Sequence, residues 1–221
     1  MANDNICFIG GGNMAGSLIG GLIAGGCKPE TLWVAEPDAE RREELQQRFG
    51  VQVSADNAEA AADAEIIVLA VKPQVLSKAV EPLGEIVRNN RPLFISIAAG
   101  IAEPAIRRWL GDAPAIVRAM PNTPALVRSG ATALFANSQV TGAQRDKAES
   151  ILRAVGIVQW VEDEALMDAV TALSGSGPAY FLLLMEVLEA AGKSLGLPAE
   201  TAPADPADRL RRRQDGTGKH R

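Results

Sequence analysis

The chain has 221 residues, a formal net charge of −5, and 47% hydrophobic and 22% charged residues, which is the composition of a folded globular protein. The acidic balance argues against a nucleic-acid ligand, and the apolar runs are too short to predict a membrane span. Two cysteines without metal-type spacing are typical of reduced thiols in a cytoplasmic protein, and a single histidine excludes histidine-based metal sites and Ser-His-Asp triads.

Strands and helices alternate in the predicted structure as far as residue 162. Short apolar runs predict strands at residues 6–9, 31–35, 51–53, 65–71, 93–97, 115–118, 131–135 and 157–161. The segments between them predict helices over residues 13–25, 38–49, 56–62, 74–88, 103–110 and 142–154. Because this alternation is typical of βαβ units, we expect an α/β fold with a doubly wound, Rossmann-type, mostly parallel sheet.

Only helices are predicted after residue 162, over residues 163–173 and 179–195. Pro178 lies in the first turn of the second helix, where its missing N–H costs nothing. The second helix is too apolar to face water on all sides. We therefore expect it to pack against a second domain or a partner subunit.

A glycine-rich loop directly follows the first predicted strand and begins the first helix. Residues 10–15 read G-G-G-N-M-A, which fits the G-x-G-x-x-A pattern of dinucleotide-binding folds. The glycines would let the backbone approach a pyrophosphate, and the helix N-terminus would supply N–H donors and a positive dipole. The alternative is a plain glycine-rich turn. A P-loop is excluded because no G-K-[ST] follows.

The second predicted strand ends at Glu36, where an acidic residue would bind the adenine ribose hydroxyls of NAD. Arg41 and Arg42 could instead bind the 2′-phosphate of NADP, or they could lie on a solvated helix surface. The sequence therefore leaves NAD and NADP as alternatives.

Three further segments follow predicted strands, at the sheet edge where ligands bind in open α/β folds. They read A-V-K-P at 70–73, S-I-A-A-G at 96–100 and R-A-M-P-N-T-P at 118–124. We expect them to surround the nicotinamide end of the cofactor, although Lys72 could be only a charged loop residue. A Gly/Ser loop at 171–180, T-A-L-S-G-S-G-P-A-Y, could present N–H groups to a substrate carboxylate or be an interhelical turn.

Taken together, these segments resemble the Δ1-pyrroline-5-carboxylate reductase family over about residues 5–201. The glycine loop alone is unspecific, whereas M-P-N-T-P at 120–124 together with G-S-G-P-A-Y at 175–180 is specific. The resemblance implies reduction of 1-pyrroline-5-carboxylate to L-proline, the last step of proline synthesis, with NADPH or NADH as hydride donor. It also implies a metal-free enzyme that self-associates through its C-terminal helices. A protonated imine already accepts hydride, so positioning would be the protein's main task.

The same resemblance implies the site residues at matching positions, none of them a metal ligand. The cofactor would be bound by Ile9, Gly10, Gly11, Gly12, Asn13, Met14, Glu36, Asn57, Ala70, Val71, Lys72, Pro73, Ala98 and Ala99. The catalytic residues would be Asn122, Thr123 and Ser176.

The sequence departs from the family after Thr201. Family members add helices that interlock two subunits and a loop, S-P-G-G-T-T, that holds the substrate, whereas this chain continues with a basic stretch interrupted by Pro and Asp. We expect a disordered, aberrant tail, produced by truncation or a frameshift, that impairs activity. The predicted domains are a dinucleotide-binding domain, the start of a helical substrate and dimerisation domain, and this tail, over residues 1–162, 163–201 and 202–221.

Two other functions remain as alternatives. The first is a non-catalytic dinucleotide-binding remnant that lacks a substrate site. The second is a related Rossmann reductase, such as a hydroxyacid dehydrogenase or a deazaflavin-dependent reductase, against which the two specific motifs argue. An assay of proline formation separates the reductase from the non-catalytic remnant.

Overall fold

The protein is described here by a computed structural model, which covers residues 4–198. Its strands are β1 (Ile6–Ile9), β2 (Leu32–Ala35), β3 (Gln52–Ser54), β4 (Ile66–Leu69), β5 (Leu93–Ser96), β6 (Ala115–Met120), β7 (Gly130–Ala136) and β8 (Gly156–Trp160). They form one sheet in the order β3-β2-β1-β4-β5-β6-β7-β8. The predicted doubly wound sheet is confirmed, and each strand lies within two residues of its predicted bounds.

One pair of neighbouring strands, β6 and β7, is antiparallel, and the other pairs are parallel. The connection between them holds only a short 3-10 turn, Thr123–Val127. Parallel neighbours need a longer crossover, usually a helix, so this short connection reverses the chain direction. The sheet is therefore mostly parallel, as expected.

Nine α-helices accompany the sheet within residues 4–198. They are α1 (Asn13–Ala24), α2 (Ala39–Phe49), α3 (Asn57–Ala61), α4 (Leu76–Val80), α5 (Gly84–Asn90), α6 (Glu103–Leu110), α7 (Gly142–Arg153), α8 (Leu166–Val170) and α9 (Gly177–Ser194). The single helix predicted over residues 74–88 is wrong, because a 3-10 turn at Glu81–Leu83 divides it into α4 and α5. Pro82 lies in that turn and cannot donate a helical hydrogen bond, which accounts for the break.

The core consists of two apolar layers, one on each face of the sheet. Alternate residues of β1 belong to different layers: Phe8 packs in the layer beneath α1 and α7, and Cys7 in the layer beneath α3 to α6. Burial raises the pKa of the Cys7 thiol to about 12, so it stays protonated at neutral pH. Cys7 and Cys27 are both free thiols, as predicted.

An ion-pair cluster closes the amino end of the sheet. Lys147 of α7 lies 2.8 Å from Asp4, which precedes β1, and 3.0 Å from Glu65, which precedes β4. The hydrogen bond to Asp4 raises the pKa of Lys147, although burial acts in the opposite direction. The cluster leaves the carboxyl edge of the sheet open on the opposite side.

The last described part of the chain is one continuous helical stretch. Between α8 and α9 the backbone forms a π-helical turn, Thr171–Gly175, in which the Ser176 amide donates to the Thr171 carbonyl at 2.9 Å. The Gly/Ser loop predicted there is therefore wrong. Contrary to the expectation from short apolar runs, the stretch Leu166–Ser194 is long and apolar enough to cross a membrane by length and composition alone, because an 18-residue window within it has a mean hydropathy of 1.2. The predicted tail over 202–221 lies outside the described residues.

Candidate functional site at the carboxyl edge of the sheet

Most of the predicted site segments meet at the carboxyl edge of the sheet. The strand order reverses at β1, which lies between β2 and β4, and such a switch point opens a crevice for a ligand. The Ala70 amide donates to the Ile9 carbonyl at 2.8 Å, and the Gly10 amide donates to the Ala35 carbonyl at 2.8 Å. The glycine loop is thereby fixed against the ends of both neighbouring strands.

The first glycine of the loop is required by the backbone itself. Gly10 has φ of +99°, and a Cβ there would lie 2.8 Å from Val71 Cγ1 and 2.9 Å from the Ala70 carbonyl oxygen. This close approach brings two predicted cofactor residues, Ala70 and Val71, against the loop. Met14 is half-buried in the first turn of α1 that follows.

The third glycine has the opposite environment. Gly12 is the N-cap of α1, its φ of −68° suits any residue, and a Cβ there would have nothing within 4 Å. The loop therefore leaves open space beside the first amides of α1, which have no partner within the helix. This is the geometry that a pyrophosphate needs at a helix N-terminus.

Glu36 lies at the end of β2 with its carboxylate against the glycine loop. Its Oε2 accepts a hydrogen bond from the Gly11 amide at 2.9 Å, and its Oε1 accepts one from the Asp38 amide at 3.2 Å. Arg41 donates from Nε to the Gly11 carbonyl at 2.9 Å, and Arg42 donates from Nη1 to the Glu36 carbonyl at 2.7 Å. The end of β2 and the glycine loop are thus joined by a hydrogen-bonded cluster of charged side chains.

The other predicted cofactor residues lie on the same edge with different exposure. Asn57 begins α3 and donates to the Ala79 carbonyl at 2.9 Å, which joins α3 to α4. Lys72 is exposed at the turn after β4 and precedes the half-buried Pro73, and after β5 Ala98 is buried while Ala99 is exposed. The edge therefore presents small apolar groups after β5 and one exposed ammonium group after β4.

Two of the predicted catalytic residues lie at the contact between the sheet and the helical stretch. Asn122 donates from Nδ2 to the Ser174 carbonyl at 3.3 Å and accepts from the Ala131 amide at 2.9 Å. Ser176 donates from Oγ to the Thr171 carbonyl at 3.1 Å. Thr123 is exposed at the start of the 3-10 turn. The structure brings Asn122 and the segment before Ser176 together.

A buried ion pair beside this contact was not identified from the sequence. Arg118 of β6 lies 2.7 Å from Glu164 Oε1, and the two side chains are 8% and 22% exposed. The same oxygen accepts the Glu103 amide at 2.6 Å, and Glu103 in turn accepts from Asn137 Nδ2 at 2.8 Å. An arginine within an otherwise apolar strand was the available signal, because buried arginines are nearly always paired.

We expect Glu164→Ala to lower the free energy of unfolding by about 3 kcal/mol, because it leaves the Arg118 guanidinium buried without its carboxylate. Denaturant unfolding measures this. The control is Glu162→Ala, whose side chain is 88% exposed and lies 3.9 Å from Arg145, so about 0.5 kcal/mol or less is expected there. Equal losses in the two variants would contradict the importance of the buried pair.

A cavity of about 700 Å³ begins at Gly12 and Asn13 and runs between α1 and α2 toward Arg128. None of the segments after β4 or β5 lines it, so it is not the predicted nicotinamide site. Among residues 4–198, no group of three or more His, Cys, Asp or Glu side chains is arranged to hold a metal ion.

Two family models match separate parts of the chain. Residues 5–100 match the model described as NADP oxidoreductase coenzyme F420-dependent. Residues 164–204 match the model described as Pyrroline-5-carboxylate reductase dimerisation. The first match covers the glycine loop and the segments after β4 and β5, and the second covers the helical stretch.

Curated relatives match across both parts. A pyrroline-5-carboxylate reductase of Pseudomonas aeruginosa is 50% identical over 202 residues, which are 91% of this chain and 74% of the relative. A pyrroline-5-carboxylate reductase of Synechocystis is 49% identical over 196 residues, which are 88% of this chain and 72% of the relative. The chain thus spans about three quarters of the length of these relatives.

Solved structures agree with the sequence matches. A pyrroline-5-carboxylate reductase of Coxiella burnetii has a TM-score of 0.86 and 44% identity, covering 99% of this chain and 82% of the other. The pyrroline carboxylate reductase of Plasmodium falciparum with NADP bound has a TM-score of 0.81 and 29% identity, covering 98% of this chain and 78% of the other.

Proposed function

The chain belongs to the pyrroline-5-carboxylate reductase family, and from this membership we propose that it reduces 1-pyrroline-5-carboxylate to L-proline with NADH or NADPH. It is an oxidoreductase of proline synthesis with a nicotinamide cofactor. The observation that carries the proposal is the meeting of two motifs: Asn122 of M-P-N-T-P contacts Ser174, immediately before G-S-G-P-A-Y, beside the glycine-loop edge. A non-catalytic remnant that only binds a dinucleotide would not need this contact between Asn122 and the helical stretch.

The cofactor fits the glycine loop on geometric grounds. The open space at Gly12 and the first amides of α1 suit a pyrophosphate, which the backbone from Gly10 to Asn13 would hold. Bound NADH or NADPH supplies the hydride. The small residues Ala98 and Ala99 would allow the nicotinamide ring to lie against the backbone after β5.

The protein's role in the reaction is mainly to position the imine. A protonated imine accepts hydride without a general acid, so no paired carboxylates are needed. We assign Asn122 a positioning role, because both ends of its amide group are bound to the protein. We propose that the hydroxyl groups of Ser176 and Thr123 contact the substrate. The substrate would lie between the nucleotide domain, which ends near residue 162, and the helical stretch.

Buried free thiols support a cytoplasmic location.

Self-association is part of the proposal. Seven apolar side chains of α9 are exposed in a single chain: Tyr180, Phe181, Leu183, Leu184, Met185, Val187 and Leu188. We propose that a second copy of this chain covers this apolar face, because the family model for dimerisation spans the helix. A membrane is the competing occupant by length and composition.

The function is tested by measuring L-proline formed from 1-pyrroline-5-carboxylate with each cofactor. We expect Ser176→Ala to lower kcat/KM for the imine by about 10-fold or more, the worth of one hydrogen bond to a charged group. The Kd of the cofactor should not change. Ser138→Ala, at an exposed position after β7, is the control and should match the unaltered protein.

Cofactor binding without any proline formation would contradict the proposed function and favour the non-catalytic remnant. An equal loss of cofactor affinity in Ser176→Ala would remove Ser176 from the substrate site.

A further inference from the structure

The ribose end of the groove contains a carboxylate that the backbone holds in place. Both oxygens of Glu36 are engaged, Oε2 with the Gly11 amide at 2.9 Å and Oε1 with the Asp38 amide at 3.2 Å. Moving the side chain away would break both hydrogen bonds. The carboxylate therefore stays between the end of β2 and the loop proposed to hold the pyrophosphate. The adenine ribose is joined directly to the pyrophosphate, so the carboxylate lies where that ribose would bind.

The two arginines that could bind a 2′-phosphate are already bound to the protein. Arg41 donates from Nε to the Gly11 carbonyl at 2.9 Å and from Nη2 to Asn13 Oδ1 at 3.3 Å. Arg42 donates from Nη1 to the carbonyls of Glu36 and Pro37 at 2.7 and 2.8 Å. These contacts use only part of the five N–H donors of each guanidinium group, so they fix the two arginines in place without excluding a phosphate.

The remaining charges near this point do not favour a phosphate. The Asp38 carboxylate caps α2 by accepting from the Arg41 amide at 3.0 Å, and its own amide donates to Glu36 Oε1 at 3.2 Å. A second carboxylate thus lies close to that of Glu36. A dianionic 2′-phosphate would approach a fixed like charge at short range.

We propose that Glu36 makes this protein select NADH over NADPH, an inference that rests on the proposed function. The carboxylate can accept hydrogen bonds from the ribose hydroxyls of NADH, whereas the 2′-phosphate of NADPH replaces a donor with a negative charge. Family membership does not imply this selection, because the Plasmodium falciparum relative is solved with NADP bound.

The test measures the Kd of NADH and NADPH without substrate, by fluorescence of the bound nicotinamide. ADP-ribose and its 2′-phosphate serve as competitors that carry only the discriminating part of the cofactor. We expect NADH to bind at least about 10-fold more tightly, the worth of one hydrogen bond to a charged group. Glu36→Gln should shift the ratio toward NADPH by about 10-fold or more, because the amide keeps the shape and removes the charge.

Glu40→Gln is the matched control: it removes an exposed carboxylate in the first turn of α2, four residues after Glu36, and should leave the ratio unchanged. Tighter or equal binding of NADPH by the unaltered protein overturns the inference, and so does an unchanged ratio in Glu36→Gln. If Glu36→Gln does not fold, the affinities of the unaltered protein for NADH, NADPH and the two competitors still test the inference. Proline formation with a preference for NADPH refutes only this inference, whereas NADH-selective binding without proline formation refutes only the proposed function.

Discussion

Gly12→Val is expected to abolish the binding of NADH and NADPH while the protein remains folded. A Cβ at this position meets no protein atom within 4 Å, and φ of −68° is acceptable for valine. The added side chain would occupy the space that the pyrophosphate needs beside the first amides of α1. Losing two charge-assisted hydrogen bonds corresponds to a fall in affinity of at least about 100-fold.

Isothermal titration with each cofactor measures the loss, and thermal unfolding without cofactor checks the fold. Gly142→Val is the control, since it places valine in equally open space at the start of α7. Gly10→Ala should behave differently and destabilise the protein itself, because Gly10 has φ of +99° and a Cβ there is crowded by Ala70 and Val71. Unchanged cofactor affinity in Gly12→Val would refute the assignment of the loop.

The double substitution Leu184→Asp and Leu188→Asp is expected to convert a self-associated protein into monomers. These positions lie one turn apart on α9 and are 53% and 58% exposed in a single chain. Burying each leucine contributes roughly 1.5–3 kcal/mol, and a two-fold symmetric interface contains each position twice. Carboxylates at the same places would have to be buried as uncompensated charges, so the interface should not form.

Size-exclusion chromatography with light scattering over a range of concentrations measures the oligomeric state. Glu186→Gln, at an exposed polar position of the same helix, is the control and should associate like the unaltered protein. A monomeric unaltered protein at high concentration would contradict the proposed interface. If the unaltered protein is recovered bound to lipid vesicles, the apolar face would be assigned to a membrane instead.

Local patterns in the sequence were enough to predict the architecture and the sheet edge at which the proposed site segments meet. Strands such as β1 and β4 are buried on both faces, so their continuous apolar runs were recognisable without knowledge of their neighbours. The glycine loop was predictable because the backbone at Gly10, with φ of +99° and close contact with the segment after β4, restricts that position to glycine. The segments after β4, β5 and β6 could be placed together because parallel strands end at one edge.

Contacts between residues far apart in the sequence were decided only by the tertiary structure. Arg118 and Glu164 are 46 positions apart, and nothing local to either residue identifies the other as its partner. The contact of Glu36 with Gly11 and the engagement of Arg41 with the loop likewise depend on how β2 and α2 lie beside β1. The sequence left NAD and NADP open for this reason: residue types alone do not tell which arginine is already bound to the protein.

The helical end of the chain shows the same distinction within a few residues. Glycine and serine at 174–177 predicted a loop, because these residues favour turns over helices. The backbone nevertheless continues as a π-helical turn, which Asn122 and Met120 of the β6 region contact at Ser174 and Gly175. The sequence by itself determined the order of elements, the glycine loop and the apolar character of α9. Only the tertiary structure decided the course of this turn, the buried ion pair and the hydrogen bonds around Glu36, because each depends on packing between distant segments that no local preference encodes.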